Sequence, residues 1–113
     1  MSYDIMGRID AMGGSLYVQL APTKIAVLGT TAMRLGEIDA LYLNKVNVPN
    51  DYQNRGVGSA LIEELKASAR HSGHKFVIVE PGGYDPDRQE DRIRWYERHG
   101  FIKQDEGYYL LAL

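Results

Sequence analysis

Residues 46–60, Val-Asn-Val-Pro-Asn-Asp-Tyr-Gln-Asn-Arg-Gly-Val-Gly-Ser-Ala, decide the fold of this chain. A β-branched run ends at Pro49, a short polar turn follows, and two glycines one residue apart open an amphipathic helix. The first four N–H groups of a helix have no partner inside it, and the helix dipole favours an anion there. Glycines at that end remove the Cβ atoms that would keep a phosphate away from the backbone. The segment therefore predicts a ligand that carries phosphates.

The composition is that of one ordinary globular domain, residues 1–113. It is 44% hydrophobic and 25% charged, and its net charge of -2 gives no reason to expect nucleic acid as a partner. The absence of cysteine excludes a protein thiolate and a cysteine-based metal site, and no histidine spacing predicts a metal. The N-terminus does not resemble a signal peptide, and no apolar run reaches the roughly 18 residues that span a bilayer. We therefore expect a cytoplasmic protein without a membrane partner.

The first 48 residues are predicted to form strands, because none of this part has a convincing 3.6-residue apolar period. Gly13 and Gly14 predict a turn between the first two strands, and Gly29 predicts the end of the third. The pattern is typical of an antiparallel meander. The predicted strands cover residues 3–9, 16–20, 25–28 and 37–48.

A crossover unit follows the meander. Val57, Leu61, Leu65 and Ala69 fall at steps of four residues, which predicts a helix over residues 56–72 with one buried face. Residues 76–79 are apolar throughout and predict a buried strand. A strand, a helix and a strand in this order indicate a βαβ unit with parallel strands.

The last third of the chain predicts a second helix and two short strands. A loop over residues 81–86 leads into a polar helix at residues 87–99, with Asp85 as a possible cap and Pro86 in the first turn. Closing strands are expected at residues 101–103 and 107–113, around a turn at Asp105-Glu106-Gly107. The run at residues 108–111 could form a dimer edge, which would allow a homodimer, or could complete the core.

Two motifs in this order resemble the GNAT superfamily of N-acetyltransferases. Gln53-Asn54-Arg55-Gly56-Val57-Gly58 is similar to the family's acetyl-CoA loop, Q/R-x-x-G-x-G/A. Trp95-Tyr96-Glu97-Arg98-His99-Gly100-Phe101 resembles the family's signature in the last helix and the strand after it. The resemblance covers residues 37–113 and implies an α+β fold: a mixed, mostly antiparallel sheet, a central βαβ unit that binds acetyl-CoA, and two main helices.

The resemblance also implies a role for individual residues. Loop amides would hold the pyrophosphate of coenzyme A, the strand before the loop would pair with the pantetheine arm, and the strand of residues 76–79 would splay away from it. Tyr96 would protonate the departing thiolate, and Glu80 would take the proton from the acceptor amine. The implied residues that bind acetyl-CoA are Val46, Asn47, Val48, Gln53, Asn54, Arg55, Gly56, Val57, Gly58, Ser59 and Ala60.

The chain departs from the family's pattern in several places. Two helices that usually lie between the first two strands are not predicted here. Gln89 stands where the family often has Asn, and Arg92 where it has a small residue. The arginines and carboxylates of the last helix predict a solvated face with i,i+4 pairs, although Arg92 or Arg94 could contact the acceptor or the coenzyme phosphates. Tyr42 would point into the region of Glu80 if the strand register is right, but the favoured interpretation is a structural strand aromatic.

These features predict an N-acetyltransferase that moves an acetyl group from acetyl-CoA to a primary amine in a ternary complex. Without cysteine, an acetyl-cysteine intermediate on the protein is excluded. The acceptor could be a small molecule, a peptide or a protein. The alternatives are a non-catalytic acetyl-CoA-binding module that acts through a protein partner and, less favoured, a site for another phosphate ligand.

Overall fold

The structure is a computed structural model that describes residues 3–81 and 88–113. Its strands form one mixed sheet, which confirms the α+β class. The strands are β1 (Met6–Asp10), β2 (Gly13–Ala21), β3 (Lys24–Leu35), β4 (Ile38–Asn47), β5 (Phe76–Val79), β6 (Ile102–Lys103) and β7 (Tyr109–Ala112), in the spatial order β1-β2-β3-β4-β5-β7-β6. The helices are α1 (Val57–His71) and α2 (Gln89–Arg98), with one short 3-10 helix at Asn50–Tyr52.

The first four strands form the antiparallel meander that the sequence predicts. The prediction of a turn at Gly13 and Gly14 is wrong. Both glycines pair inside β2, and the chain turns at Ala11 and Met12. The Asp10 carboxylate accepts a hydrogen bond from the Met12 amide at 2.9 Å, which closes that turn. A Cβ on Gly14 would lie 2.0 Å from the Arg8 carbonyl oxygen, so this glycine permits close strand contact rather than a turn.

The third strand does not end at Gly29 as predicted. A β-bulge between Gly29 and Thr30 shifts the register against β4, and the pairing then continues to Leu35. The Lys45 side chain covers Gly29, with Cε and Cγ both 3.5 Å from the position of a Cβ. The glycine therefore marks a bulge inside a long strand.

The βαβ unit is present, with β4 and β5 parallel on either side of α1 in the chain. One face of the sheet packs against α1, which contacts β1, β2, β3 and β4. Alternate residues of the strands point to this face. The buried side chains of this core include Leu16, Val18, Ala26, Leu28, Leu41, Leu43, Val77, Val79, Tyr109 and Leu111 from the sheet, and Val57, Leu61, Ile62, Leu65 and Ala69 from α1.

Residues 3–48 contain strands and turns only, so the helix pair that the family usually carries between its first strands does not occur there. The predicted cap at Asp85 and Pro86 lies outside the described residues. Strand β7 lies between β5 and β6, so the run at residues 108–111 completes the core instead of forming a sheet edge. Within the described part of the chain, neither helix has the length and apolar character needed to cross a membrane.

Candidate functional site

The loop between β4 and α1 carries the backbone geometry of an anion site. Asn54 and Gly56 both adopt left-handed conformations, with φ of 61° and 80°, and α1 begins at Val57. No side chain caps the start of α1. The Ala60 amide donates to the Gly56 carbonyl at 2.9 Å, so the amides of the first turn, which precede it, have no partner within the helix. These amides can bind the oxygens of an anion.

Long-range contacts hold this loop in place, and the sequence pattern did not indicate them. The Tyr3 hydroxyl donates to the Arg55 carbonyl at 2.6 Å, and Lys24 forms an ion pair with Asp51. Within the loop, Gln53 Nε2 donates to the Val48 carbonyl at 3.1 Å. Residues before β1 and at the start of β3 therefore position a loop that lies far from them in sequence.

The loop and α2 face each other across a cavity of about 900 Å³, here called the glycine cleft. Most of the residues implied in coenzyme binding line it, but Arg55 and Ala60 do not. Arg55 stacks over the Tyr52 ring at 5.2 Å, and Ala60 lies within the first turn of α1. The cleft is lined on the loop side by Val46, Asn47, Val48, Tyr52, Gln53, Asn54, Gly56, Val57, Gly58 and Ser59, and on the helix side by Arg88, Asp91, Arg92, Arg94, Trp95, Tyr96, Arg98 and His99.

The helix side of the cleft is strongly basic. The sequence predicted a solvated face for this helix, but several of its arginines line the cleft. Four arginines of the α2 region line the cleft, at positions 88, 92, 94 and 98. Arg94 is exposed and forms ion pairs with Glu90 (i,i+4) at 3.3 Å and with Asp91 (i,i+3) at 3.9 Å. These pairs confirm the predicted i,i+4 pairing on the solvated face of the helix. These arginines lie within one or two helical turns of Trp95 and Tyr96 in the family's motif, and this spacing was the sequence signal that could have assigned them to the site.

Tyr96 is 8% exposed and belongs to the core while lining the cleft. Burial raises the pKa of its hydroxyl, and the nearby charge of Arg92 partly offsets this. Its ring contacts Phe101 and Trp95 edge to face, with centroids 5.4 Å and 5.1 Å apart. At neutral pH this phenol therefore keeps its proton and is fixed in orientation.

Gly58 has a packing role in addition to its backbone amide, which has no partner within α1. A Cβ on this residue would lie 3.0 Å from Cζ2 of Trp95 and 3.8 Å from Cγ2 of Val48. Even an alanine would press against the indole ring. The second glycine of the motif therefore lets α1 and Trp95 approach each other at the mouth of the cleft.

His99, at the end of α2, connects this helix to α1 at the cleft. Its Nε2 lies 3.2 Å from Ser59 Oγ, and its Nδ1 lies 3.5 Å from the Glu63 carboxylate. Burial lowers the pKa of His99, with Glu63 acting in the opposite direction. Across residues 3–81 and 88–113, no group of three His, Cys, Asp or Glu side chains could hold a metal ion.

The pKa of His99 predicts a loss of stability under mildly acidic conditions. Because its folded-state pKa is below the unfolded value of about 6.5, the unfolded chain binds this proton more readily, and the free energy of unfolding falls as the pH drops through that region. We expect urea unfolding to show a smaller free energy at about pH 5.5 than at about pH 7.5. The His99→Gln variant should lose part of this difference, while His71→Gln, at an exposed site, should keep it. Equal pH dependence in all three proteins would contradict the prediction.

A second cavity of about 610 Å³, here called the acidic cavity, lies on the sheet face opposite α1. Tyr42 and Ile78 alternate with residues of the helix-covered core and therefore point into this other face. The described lining contains three glutamates and no lysine, arginine or histidine. It consists of Met33, Leu35, Gly36, Glu37, Ile38, Tyr42, Ile78, Glu80, Glu106, Gly107 and Tyr108.

Glu80 lies in the acidic cavity, not in the glycine cleft that holds Tyr96. Tyr42 stands beside it: burial first, and then the Glu80 carboxylate, raise the pKa of the Tyr42 hydroxyl. Tyr42 is thus part of the cavity as well as of the strand. Tyr42 lies opposite Ile78 in the parallel pairing of β4 with β5, and this register turns its side chain to the face of the sheet that carries Glu80.

Strands β4 and β5 separate between the two cavities. They pair only at Leu41 with Val77 and at Tyr42 with Ile78. Strand β4 continues to Asn47, still paired with β3 on its other side, at Val46 and Asn47. One edge of β4 therefore has no partner in β5 beside the glycine cleft, and its backbone groups can pair with an extended ligand.

Comparisons with known proteins agree with this geometry. The family model described as an acetyltransferase (GNAT) domain matches residues 14–103. Among curated protein sequences, none matches significantly. A GNAT family acetyltransferase from Brucella melitensis, solved in complex with acetyl-CoA, has a TM-score of 0.68 and 21% identity, over 91% of this chain and 60% of that protein. This chain thus spans less than two thirds of that protein's length.

Two further structures have the same fold. A GNAT family acetyltransferase from Elizabethkingia anophelis with acetyl-CoA bound has a TM-score of 0.69 and 13% identity, over 90% of this chain and 77% of that protein. An aminoglycoside acetyltransferase from an uncultured soil metagenomic sample has a TM-score of 0.67 and 21% identity, over 84% of this chain and 62% of that protein. With the family model covering most of its length, this chain belongs to the GNAT acetyltransferase family.

Proposed function

We propose that this chain binds acetyl-CoA and transfers the acetyl group to a primary amine by direct attack in a ternary complex. The observation that carries the proposal is the pair of cavities along β4, one with free helix amides and arginines, the other with glutamates. The phosphates of acetyl-CoA match the glycine cleft in charge, and an ammonium group matches the acidic cavity. Acetyl-CoA is the ligand in the related structures from Brucella melitensis and Elizabethkingia anophelis.

The proposed donor geometry uses the open edge of β4. The pantetheine arm would pair with Val46, Asn47 and Val48 as an added strand, while the pyrophosphate would accept hydrogen bonds from the amides of the loop and the first turn of α1. The thioester would then lie where β4 and β5 separate, with Tyr96 on the donor side and Glu80 on the acceptor side.

The proposed reaction balances without a covalent intermediate on the protein. The amine nitrogen attacks the acetyl carbonyl carbon, and the bond from that carbon to sulfur breaks. The amine proton passes to Glu80, directly or through water, and the Tyr96 hydroxyl protonates the thiolate. The products are an N-acetylated amine and the free thiol of coenzyme A.

Glu80→Gln is expected to lower kcat/KM about 10- to 100-fold at about pH 7. An alkylamine with a pKa of about 10.4 is mostly protonated there, so a base is required. The loss should shrink toward about pH 10, where the free amine is abundant without a base. Rates measured across this pH range test the prediction, and the exposed Glu97→Gln on α2 is the matched control. A loss of the same size at every pH would exclude Glu80 as the base.

Labelled acetyl-CoA and a panel of amines test the proposed function directly. Binding is measured independently by the fluorescence of Trp95, the only tryptophan in the chain, which lines the glycine cleft. We expect transfer to at least one alkylamine. Saturable binding of acetyl-CoA without transfer to any amine would overturn the catalytic proposal.

One contact favours a second candidate, a non-catalytic acetyl-CoA-binding module. Gln89, at the position where relatives often have Asn, donates from Nε2 to the Pro81 carbonyl at 3.2 Å. Its side chain therefore links the start of α2 to the chain after β5 instead of pointing freely to a substrate. In this case acetyl-CoA would bind, and substitution of Tyr96 would leave the function unchanged.

A further inference from the structure

Arg92 has a buried donor that no described residue satisfies. Its Nη1 atom is inaccessible to solvent and makes no hydrogen bond, while its side chain lines the glycine cleft. Arg94, two residues further on, is exposed and forms ion pairs with Glu90 and Asp91. The two arginines therefore differ: Arg94 is held by carboxylates of its own helix, and Arg92 is not.

A buried guanidinium nitrogen without an acceptor does not help the free protein to fold, because burial removes its water without supplying a partner. Arg92 lies one turn before Tyr96 on the same face of α2, about 6 Å away along the helix axis. The charge of Arg92 also acts on Tyr96, where it opposes the rise in pKa that burial causes. Among the described residues, Arg92 thus combines an unused donor with a positive charge that no carboxylate pairs, beside the proposed general acid.

We propose that Arg92 binds an oxygen of the donor beside its thioester, and that its charge stabilises the thiolate as the carbon–sulfur bond breaks. This inference rests on the proposed acetyl-CoA site. It assigns Arg92 to the sulfur end of the donor and not to the phosphates.

The proposed role has a specific chemical reason. A thiol has a pKa of about 8.5 and a phenol one of about 10, and burial raises the pKa of Tyr96 further. Proton transfer from such a phenol to a thiolate is unfavourable without help. The thiolate must therefore leave before the proton arrives, and a cation in the same cleft stabilises the negative charge that develops on sulfur as the bond breaks.

Two thioesters separate the sulfur end from the phosphate end. Arg92→Met is compared with wild type using acetyl-CoA and using acetyl-pantetheine, which lacks the phosphates. We expect kcat/KM to fall about 10- to 100-fold with both donors. A loss with acetyl-CoA that disappears with acetyl-pantetheine would assign Arg92 to the phosphates and overturn the inference, as would no loss with either. The control is Arg70→Met, the same change at an exposed site of α1.

A structural role predicts a different result for stability. Because Nη1 has no partner, Arg92→Met should unfold at the same temperature as wild type or higher in the absence of ligand. Its stabilisation by added coenzyme A should be smaller. A lower unfolding temperature without ligand would indicate that Arg92 supports the fold. If Arg92→Met does not fold, Arg92→Gln allows the same comparison, and Arg92→Lys should recover part of the rate.

The ionisation of bound coenzyme A tests the inference even if the chain does not catalyse transfer. We expect the thiol of bound coenzyme A, titrated by the ultraviolet absorbance of its thiolate, to have a pKa about 1 lower in wild type than in Arg92→Met. Equal values in the two proteins would overturn the role of Arg92. Failure of the proposed catalysis would instead appear as bound coenzyme A with this difference intact and no transfer to any amine.

Discussion

Tyr96→Phe is expected to lower kcat for acetyl transfer about 100- to 10,000-fold, while the Kd for acetyl-CoA changes less than about threefold. The change removes only the hydroxyl, and the ring still fills its place against Phe101 and Trp95. The thiolate would then have to leave without a proton donor. Steady-state kinetics and a calorimetric titration with acetyl-CoA measure the two effects separately.

The matched control for this substitution is Tyr17→Phe, on β2 outside both cavities. It should leave kcat unchanged. If Tyr96→Phe keeps the wild-type kcat, Tyr96 is only a core aromatic and another group protonates the thiolate. If it weakens acetyl-CoA binding and leaves kcat unchanged, its hydroxyl binds the donor in the ground state.

Gly58→Val is expected to weaken acetyl-CoA binding about 100-fold. Even the first carbon of the new side chain would lie 3.0 Å from Trp95, and its methyl groups would enter the space beside the amides of the first turn of α1. A phosphate held away from these amides loses charge-assisted hydrogen bonds, each worth about 1.5–3 kcal/mol. Calorimetry is the suitable measurement, because the substitution also disturbs the fluorescent side chain.

Ala67→Val is the control for Gly58→Val. It places the same β-branched residue on the exposed face of the same helix, so any general loss of helix stability appears in both variants. Acetyl-CoA binding by Ala67→Val should match wild type. An affinity of Gly58→Val within about threefold of wild type would show that the phosphates bind elsewhere.

Local patterns in the sequence predicted the central unit well. The apolar steps from Val57 to Ala69 define a helix that the structure bounds at Val57–His71, and the strand Phe76–Val79 lies where it was expected. The parallel pairing of β4 with β5 followed from the crossover alone. These features depend on periodicity and chain connectivity, which are present in a single segment.

Glycines were interpreted less reliably. The sequence pattern predicted a turn at Gly14 and the end of a strand at Gly29, yet both residues lie inside strands. What they permit is the close approach of Arg8 in one case and a bulge covered by Lys45 in the other. A glycine that ends a strand and a glycine that allows a neighbour to approach look the same until the neighbouring strand is known.

The two halves of the candidate site differ in the same way. The donor side could be predicted because one continuous segment supplies both the strand edge and the helix amides. The acidic cavity joins Glu37 and Tyr42 with Glu80 and with Glu106, which come from three separate parts of the chain, and no sequence motif relates these parts. The unpartnered donor of Arg92 was equally invisible, because its lack of a partner depends on all the residues packed around it.

The sequence by itself determined the βαβ unit, the helix start that can bind an anion, and the two motifs of the GNAT family. Each of these rests on residues within a few turns or one strand of one another. The tertiary structure alone decided that arginines face the glycine loop, that Tyr3 and Lys24 hold that loop, and that glutamates gather on the opposite face of the sheet. These arrangements arise from strand register and helix packing, which bring together residues that are distant along the chain.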